Sequence, residues 1–166
     1  MRTRSFHGEA AANAAAPLEE CFALLAAVDR YPDWCPDVVR EVQVLDRGAG
    51  GEPRRVRMTI HVEWAAIVRE FQLFLAVAVE PPRAVTLSRV TDHPTNQVFT
   101  ARWLLEPADG TRITLGLDAD LRVPAYVPAD GIADKIAQAF VAAATQALSA
   151  RQPYVAGQPY VARQPA

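Results

Sequence analysis

Cysteine, histidine and surplus charge are all scarce in this chain, and each scarcity removes a class of function. Two cysteines, Cys21 and Cys35, are too few for a disulfide framework, and their spacing fits no zinc motif. The three histidines, His7, His61 and His93, are widely scattered, so neither a metal site nor a cofactor is expected. Formal net charge is −2, from 17 basic and 19 acidic residues. That balance argues against a broad phosphate-binding surface, so no nucleic-acid partner is expected. No run approaches the roughly 20 apolar residues that span a bilayer. Residues 1–9 are polar and hold no apolar stretch of signal-peptide length. The expected location is therefore cytoplasmic, with both thiols reduced. The last helix has only Lys135 and Arg151 as basic residues, so stable membrane insertion is not expected.

What the chain does have is apolar surface in an ordered pattern. Half of its 166 residues (51%) are hydrophobic and 22% are charged, enough for one domain with a real core. A short strand is predicted over 3–12, followed by a helix that starts at Pro17. Proline suits the first helical position, and Glu19 and Glu20 favour the positive end of the helix dipole. Leu18, Cys21, Phe22, Leu25 and Val28 recur at helical spacing. This helix is expected to end near Asp29, because Tyr31 precedes Pro32 and is biased out of the α region. The segment 31–36 reads as a compact turn with a short second helix.

From 38 to 123 the period changes to two, interrupted at 48–53, 64–67, 80–83, 92–96 and 107–110. Six strands joined by short connections make an antiparallel meander. A long helix follows over 130–150, with Asp130 as a candidate N-cap. Its expected buried stripe is Ile132, Ile136, Ala139, Phe140, Ala143 and Ala147. Such a helix buries its stripe most simply across the concave face of a curved sheet. Residues 1–150 thus read as one ligand-binding domain. Residues 151–166, where Gln-Pro-Tyr-Val-Ala occurs twice, read as a proline-rich mobile tail, or else a docking peptide using Tyr154 and Tyr160.

Strand alternation assigns the inner face. Val56, Met58, Ile60, Val62 and Trp64 share one side, against Arg57, Thr59, His61 and Glu63, so His61 reads as facing water. Ile113, Leu115, Leu117, Ala119 and Leu121 oppose Asp118 and Asp120, which read as a solvated pair. Gln97, Phe99, Ala101, Trp103 and Leu105 align, as do Arg69, Phe71, Leu73, Leu75, Val77 and Val79, and Val85 and Leu87 with Arg89. Arg69 and Arg89 would then be polar groups at the ends of an otherwise greasy chamber. A buried guanidinium cannot shed its proton, so Arg89 needs a partner, which a ligand oxygen could supply. Trp34 and, from the last helix, Ile136 and Phe140 complete the candidate lining. Tyr126 and Tyr31 are candidate hydroxyl donors. The aromatics are few for a sheet this size and the helix is alanine-rich, so the concavity is expected to stay partly unfilled.

The order of these elements, the run Val28-Asp29-Arg30-Tyr31-Pro32 with Trp34 after it, and the strand Arg112–Asp118 leading to a C-terminal helix resemble a known superfamily. The chain is similar to the polyketide cyclase/dehydrase and lipid-transport group of START-like (SRPBCC) proteins, and to their coenzyme-Q-binding branch. The resemblance covers about residues 3–150. It implies an α+β helix-grip (Bet v1-like) fold, a curved antiparallel sheet wrapped around a long C-terminal helix with a deep cavity between them. Some members fold and dehydrate poly-β-ketones, others carry quinones or lipids, and one branch acts on ribosomes. In the aromatase/cyclases the resemblance implies an arginine at the position of Leu75 and a tyrosine at that of Val38. Both are apolar here, whereas a second arginine matches Arg89. The leading expectation is a carrier or binder of an apolar small molecule such as a polyketide, quinone or lipid, acting as monomer or homodimer. A cyclase/dehydratase-type enzyme comes second and a ribosome- or protein-binding adaptor third.

Overall fold

The structure, a computed structural model, describes residues 2–64, 66–90, 98–126 and 131–150. Seven antiparallel strands form one sheet: β1 (Arg2–Ala14), β2 (Val39–Arg47), β3 (Pro53–Trp64), β4 (Ile67–Glu80), β5 (Ala84–Arg89), β6 (Phe99–Ala108) and β7 (Gly110–Val123). The six-strand meander is present, and β1 adds itself beside β7, so the order is β1-β7-β6-β5-β4-β3-β2. The chain between β1 and β2 therefore has to cross from one edge of the sheet to the other. It does so as α1 (Leu18–Ala26), a 3₁₀ turn (Val28–Arg30) and α2 (Tyr31–Trp34). The last element, α3 (Ile132–Ala150), packs along the sheet. The architecture is the START/Bet v1-like helix-grip fold.

Two expectations about the helices need correction. The first helix stops at Ala26, and Tyr31 is not extended: its φ of −54° and ψ of −38° are helical, and it opens α2. The bias against helical geometry before proline is modest, and packing overrides it here. Pro32 falls in the first turn, where its missing N–H costs nothing. The Tyr31 ring is buried, and its hydroxyl donates to the Leu25 carbonyl at 2.5 Å.

The second correction concerns the buried face of α3, which comprises Ile132, Ala133, Ala137, Phe140, Val141, Ala144 and Leu148. Ala139 is exposed, while Ile136, Ala143 and Ala147 are half-buried. The helix lies so close to β1 that a Cβ on Gly8 would collide with the backbone of Ala133. Asp134 also accepts a hydrogen bond from the Glu9 amide at 3.0 Å, which ties the first turn of α3 to the strand. At the other end, buried Thr111 donates to the Ala16 carbonyl at 2.8 Å and holds the start of β7 to the entry of α1.

The inner faces follow the alternation. Val56, Met58, Leu73, Leu75, Val85, Leu87, Trp103, Leu105, Ile113 and Leu115 are all buried. On the outer face Asp118 is exposed and lies 2.6 Å from His7, and Asp120 accepts from the Ser5 hydroxyl at 2.6 Å. His61 departs from expectation: its side chain is only 13% exposed, with Glu70 at 3.5 Å and Glu63 at 4.0 Å flanking the ring. Long neighbours on a curved outer face can cover a ring that alternation alone points at water. The Asp130 cap, the 92–96 turn, Gln97 and the repeated tail lie outside the described residues.

Candidate functional site

The concave face is solid at one end and hollow at the other. At the solid end Phe140 of α3 meets Trp103, Tyr31 and Trp34, with ring centroids 5.7, 5.8 and 5.9 Å away and edge-to-face angles of 68–79°. Tyr31 and Trp34 also meet each other at 5.0 Å. Such edge-to-face pairs add roughly 0.5–1.5 kcal/mol each beyond the area they bury. Beyond this cluster a cavity of about 160 Å³ runs between sheet and helix. Its deep wall is fully buried (Tyr31, Leu75, Trp103, Leu115). Outward the lining becomes half-buried (Val62, Phe71, Phe99, Ile136) and ends in exposed Arg69 and Arg122, which marks the mouth.

Eight of the twelve residues named from sequence surround this cavity: Met58, Arg69, Phe71, Leu75, Phe99, Trp103, Ile136 and Phe140. Three do not. Trp34 packs against Phe140 and is not part of the lining; its indole nitrogen is buried and has no hydrogen-bond partner among the described residues. Arg89 lies cross-strand from Leu75 and is half-buried, but it is not part of the lining, nor is it a free cation. Tyr126, just after β7, is 74% exposed and is not part of the lining. Trp64 ends β3, and its side chain falls outside the described part of the structure. Sequence reasoning missed Phe6 of β1 and the mouth residues Arg122 to Pro124. Phe6 sits in a strand of small and polar residues with no apolar run to announce it. Arg122 follows the alternation that placed polar residues outside, so nothing in the pattern marked it.

The polar chemistry inside is sparse. Tyr31 brings the deep hydroxyl, and it is already engaged by the Leu25 carbonyl. Burial raises its phenol far above the ordinary value near 10, opposed by a hydrogen bond with the Trp103 side chain. That hydroxyl is a structural strut with no proton to exchange near neutrality. Both cysteines are buried thiols: burial raises Cys21, and pushes Cys35 up to about 11. Among the described residues, no group of His, Cys, Asp and Glu could hold a metal ion, and no helix is long and apolar enough to cross a membrane.

This geometry agrees with the relatives. Residues 14–145 match the family described as polyketide cyclase / dehydrase and lipid transport, and the chain belongs to that family. Among solved structures it is similar to a START superfamily protein from Mycobacterium smegmatis, at 18% identity and a TM-score of 0.68, covering 87% of this chain and 97% of that one. It is similar also to ginseng major latex-like protein 151 from Panax ginseng (11% identity, TM-score 0.62, covering 90% and 99%). A third likeness is to the Zhui aromatase/cyclase from Streptomyces sp. R1128 (20% identity, TM-score 0.53, covering 89% and 88%). No curated protein matches the sequence. Family and fold together imply hydrophobic ligand binding or polyketide cyclase-type function.

Proposed function

We propose that the chain binds and carries an apolar small molecule in the cavity between sheet and α3, as a cytoplasmic protein whose residues 1–150 form the binding domain. The observation that carries this reading is an apolar chamber of about 160 Å³ whose deep hydroxyl is already committed to the backbone. Keeping such a volume empty costs on the order of 4 kcal/mol, at roughly 24 cal/mol per Å³. A ligand that fills it recovers contacts and stabilises the fold by mass action, by about 2.7 kcal/mol at a hundredfold excess over Kd.

The test is native mass spectrometry of freshly purified protein, followed by solvent extraction and identification of what is released. A stoichiometric apolar molecule is the expected result. Empty protein that gains no thermal stability from quinones, polyketides or acyl lipids would overturn the reading.

An enzyme of the cyclase type is the second reading, favoured by the likeness to an aromatase/cyclase. Against it stand the two positions where the resemblance calls for an arginine and a tyrosine. Leu75 and Val38 occupy them, and both are buried apolar side chains. Turnover of a poly-β-ketone that is lost in Arg89→Ala would support catalysis; turnover unchanged by that substitution would remove Arg89 from any mechanism.

A further inference from the structure

The lining of the cavity is lopsided in charge. The chain as a whole carries more acidic than basic residues, 19 against 17. Among the described residues the charged side chains around the cavity are two arginines, Arg69 and Arg122, with no acidic residue beside them in the lining. They come from β4 and β7, which β5 and β6 separate in the sheet, so they stand on different sides of the mouth. Arg69 shares the inward face of its strand with Phe71, Leu73 and Leu75. Arg122 lies between Leu121 and Val123 at the rim. Neither is engaged by a carboxylate or any other polar partner among the described residues. A third cation is close: Arg4 donates to the Ala125 carbonyl at 3.2 Å, one residue beyond the mouth residue Pro124.

Size adds a second constraint. An apolar cavity of about 150 Å³ takes a molecule the size of benzene. A chamber of about 160 Å³ therefore holds one ring or a short chain, and the rest of a larger ligand must pass through the mouth. Whatever leaves the chamber meets the Arg69 guanidinium, whose planar fork suits anionic oxygens, while Arg122, on the outward phase of β7 at the rim, adds positive charge nearby.

Building on the binding reading above, we infer that the ligand is a small amphipathic acid, with its ring or short chain inside and a carboxylate at the mouth beside Arg69 and Arg122. Arg69 makes the principal contact, and Arg122 adds to the positive field.

The full chain should be titrated by calorimetry with 3-phenylpropanoate and with 3-phenylpropan-1-ol, two probes that share a carbon skeleton and differ in charge. At low salt the acid is expected to bind about fivefold tighter, the scale of one partly exposed ion pair. Raising the salt should shrink that advantage, because exposed charges are screened. Arg69→Gln should bring the acid down to the affinity of the alcohol, and Arg122→Gln should remove a smaller share. Equal binding of both probes to the wild-type protein would overturn this inference alone, and so would an advantage that survives in the double variant. Binding of neither probe would also overturn this inference, while the binding reading stands or falls separately on the extraction and thermal-stability test above. Both arginines are exposed, so circular dichroism should show the variants folded like the wild type.

Discussion

The two ends of the concave face use one sheet and one helix to opposite purposes. At the closed end, Trp103, Phe140, Tyr31 and Trp34 lock edge to face and join the main core, which continues through α1. At the mouth a much smaller group, Phe6, Val123, Ile132 and Ala133, packs with half-buried Val62, Leu121 and Ile136. The difference lies in how the side chains meet, since backbone pairing runs along the whole of β1 and β7. Four rings in mutual contact fill the space at one end; at the other Phe6, Phe71 and Phe99 stand among aliphatic and alanine side chains and line the space without ring contacts among the described residues. A hollow thus needs no special fold, only side chains that do not meet across one half of an ordinary one.

The comparison is open to attack by mutation. Trp103→Ala at the closed end should cost about 3–5 kcal/mol in urea unfolding, while Ile132→Ala at the mouth should cost nearer 2 kcal/mol. Equal losses would mean that both ends are packed alike. Gly8→Val should lose about 1–3 kcal/mol through overpacking against the Ala133 backbone, read as a drop in Tm. An unchanged Tm would show that α3 is not seated on β1. Tyr31→Phe removes the donor to the Leu25 carbonyl and should cost about 1–2 kcal/mol, with the strut role disproved if stability is unaltered.

Two smaller effects concern titration. Cys21 and Cys35 should react with a thiol reagent far more slowly in the native protein than after unfolding, since burial raises both. Last, a side-chain hydrogen bond and the charge of Asp118 raise His7 above its ordinary 6.5. Its contribution is therefore full below 6.5, while Asp118 stays ionised, and is lost as pH rises through the higher folded value. The Tm gap between wild type and His7→Gln should close over that range; a gap that widens with pH would reverse the assignment.

How much of this was legible in the sequence depended on how far side chains differ in size and polarity. In 56–62 apolar and polar residues alternate without exception, in 113–121 with Gly116 the one neutral position, and the inner faces followed directly. In α3 the signal was weak because alanine has nearly the same preference for either side. The phase rested on Ile132, Ile136 and Phe140, which mark the cavity side, and so the face of Ala137, Val141, Ala144 and Leu148 was missed. Arg89 shows the limit of alternation: it shares a face with Leu87, yet the wall beside it is formed by Leu75, Leu87 and Phe99. Facing inward along a strand and reaching a particular hollow are separate properties, and only the second depends on the curvature of the sheet. The strap from β1 to β2 was readable as a motif, but the helical geometry of Tyr31 came from tertiary packing.

The place of β1 beside β7 also bears on synthesis. Arg2 pairs with Val123 and Ala14 with Thr111, so β1 has its partner about a hundred residues downstream. At roughly 5–20 residues per second, β1 waits on the order of 5 to 25 seconds on the ribosome before β7 emerges. Through that interval its backbone amides have no sheet to join. The alanines of residues 10–12 and the charged and polar residues before them make it a poor strand for pairing with strangers, which suits a segment obliged to wait.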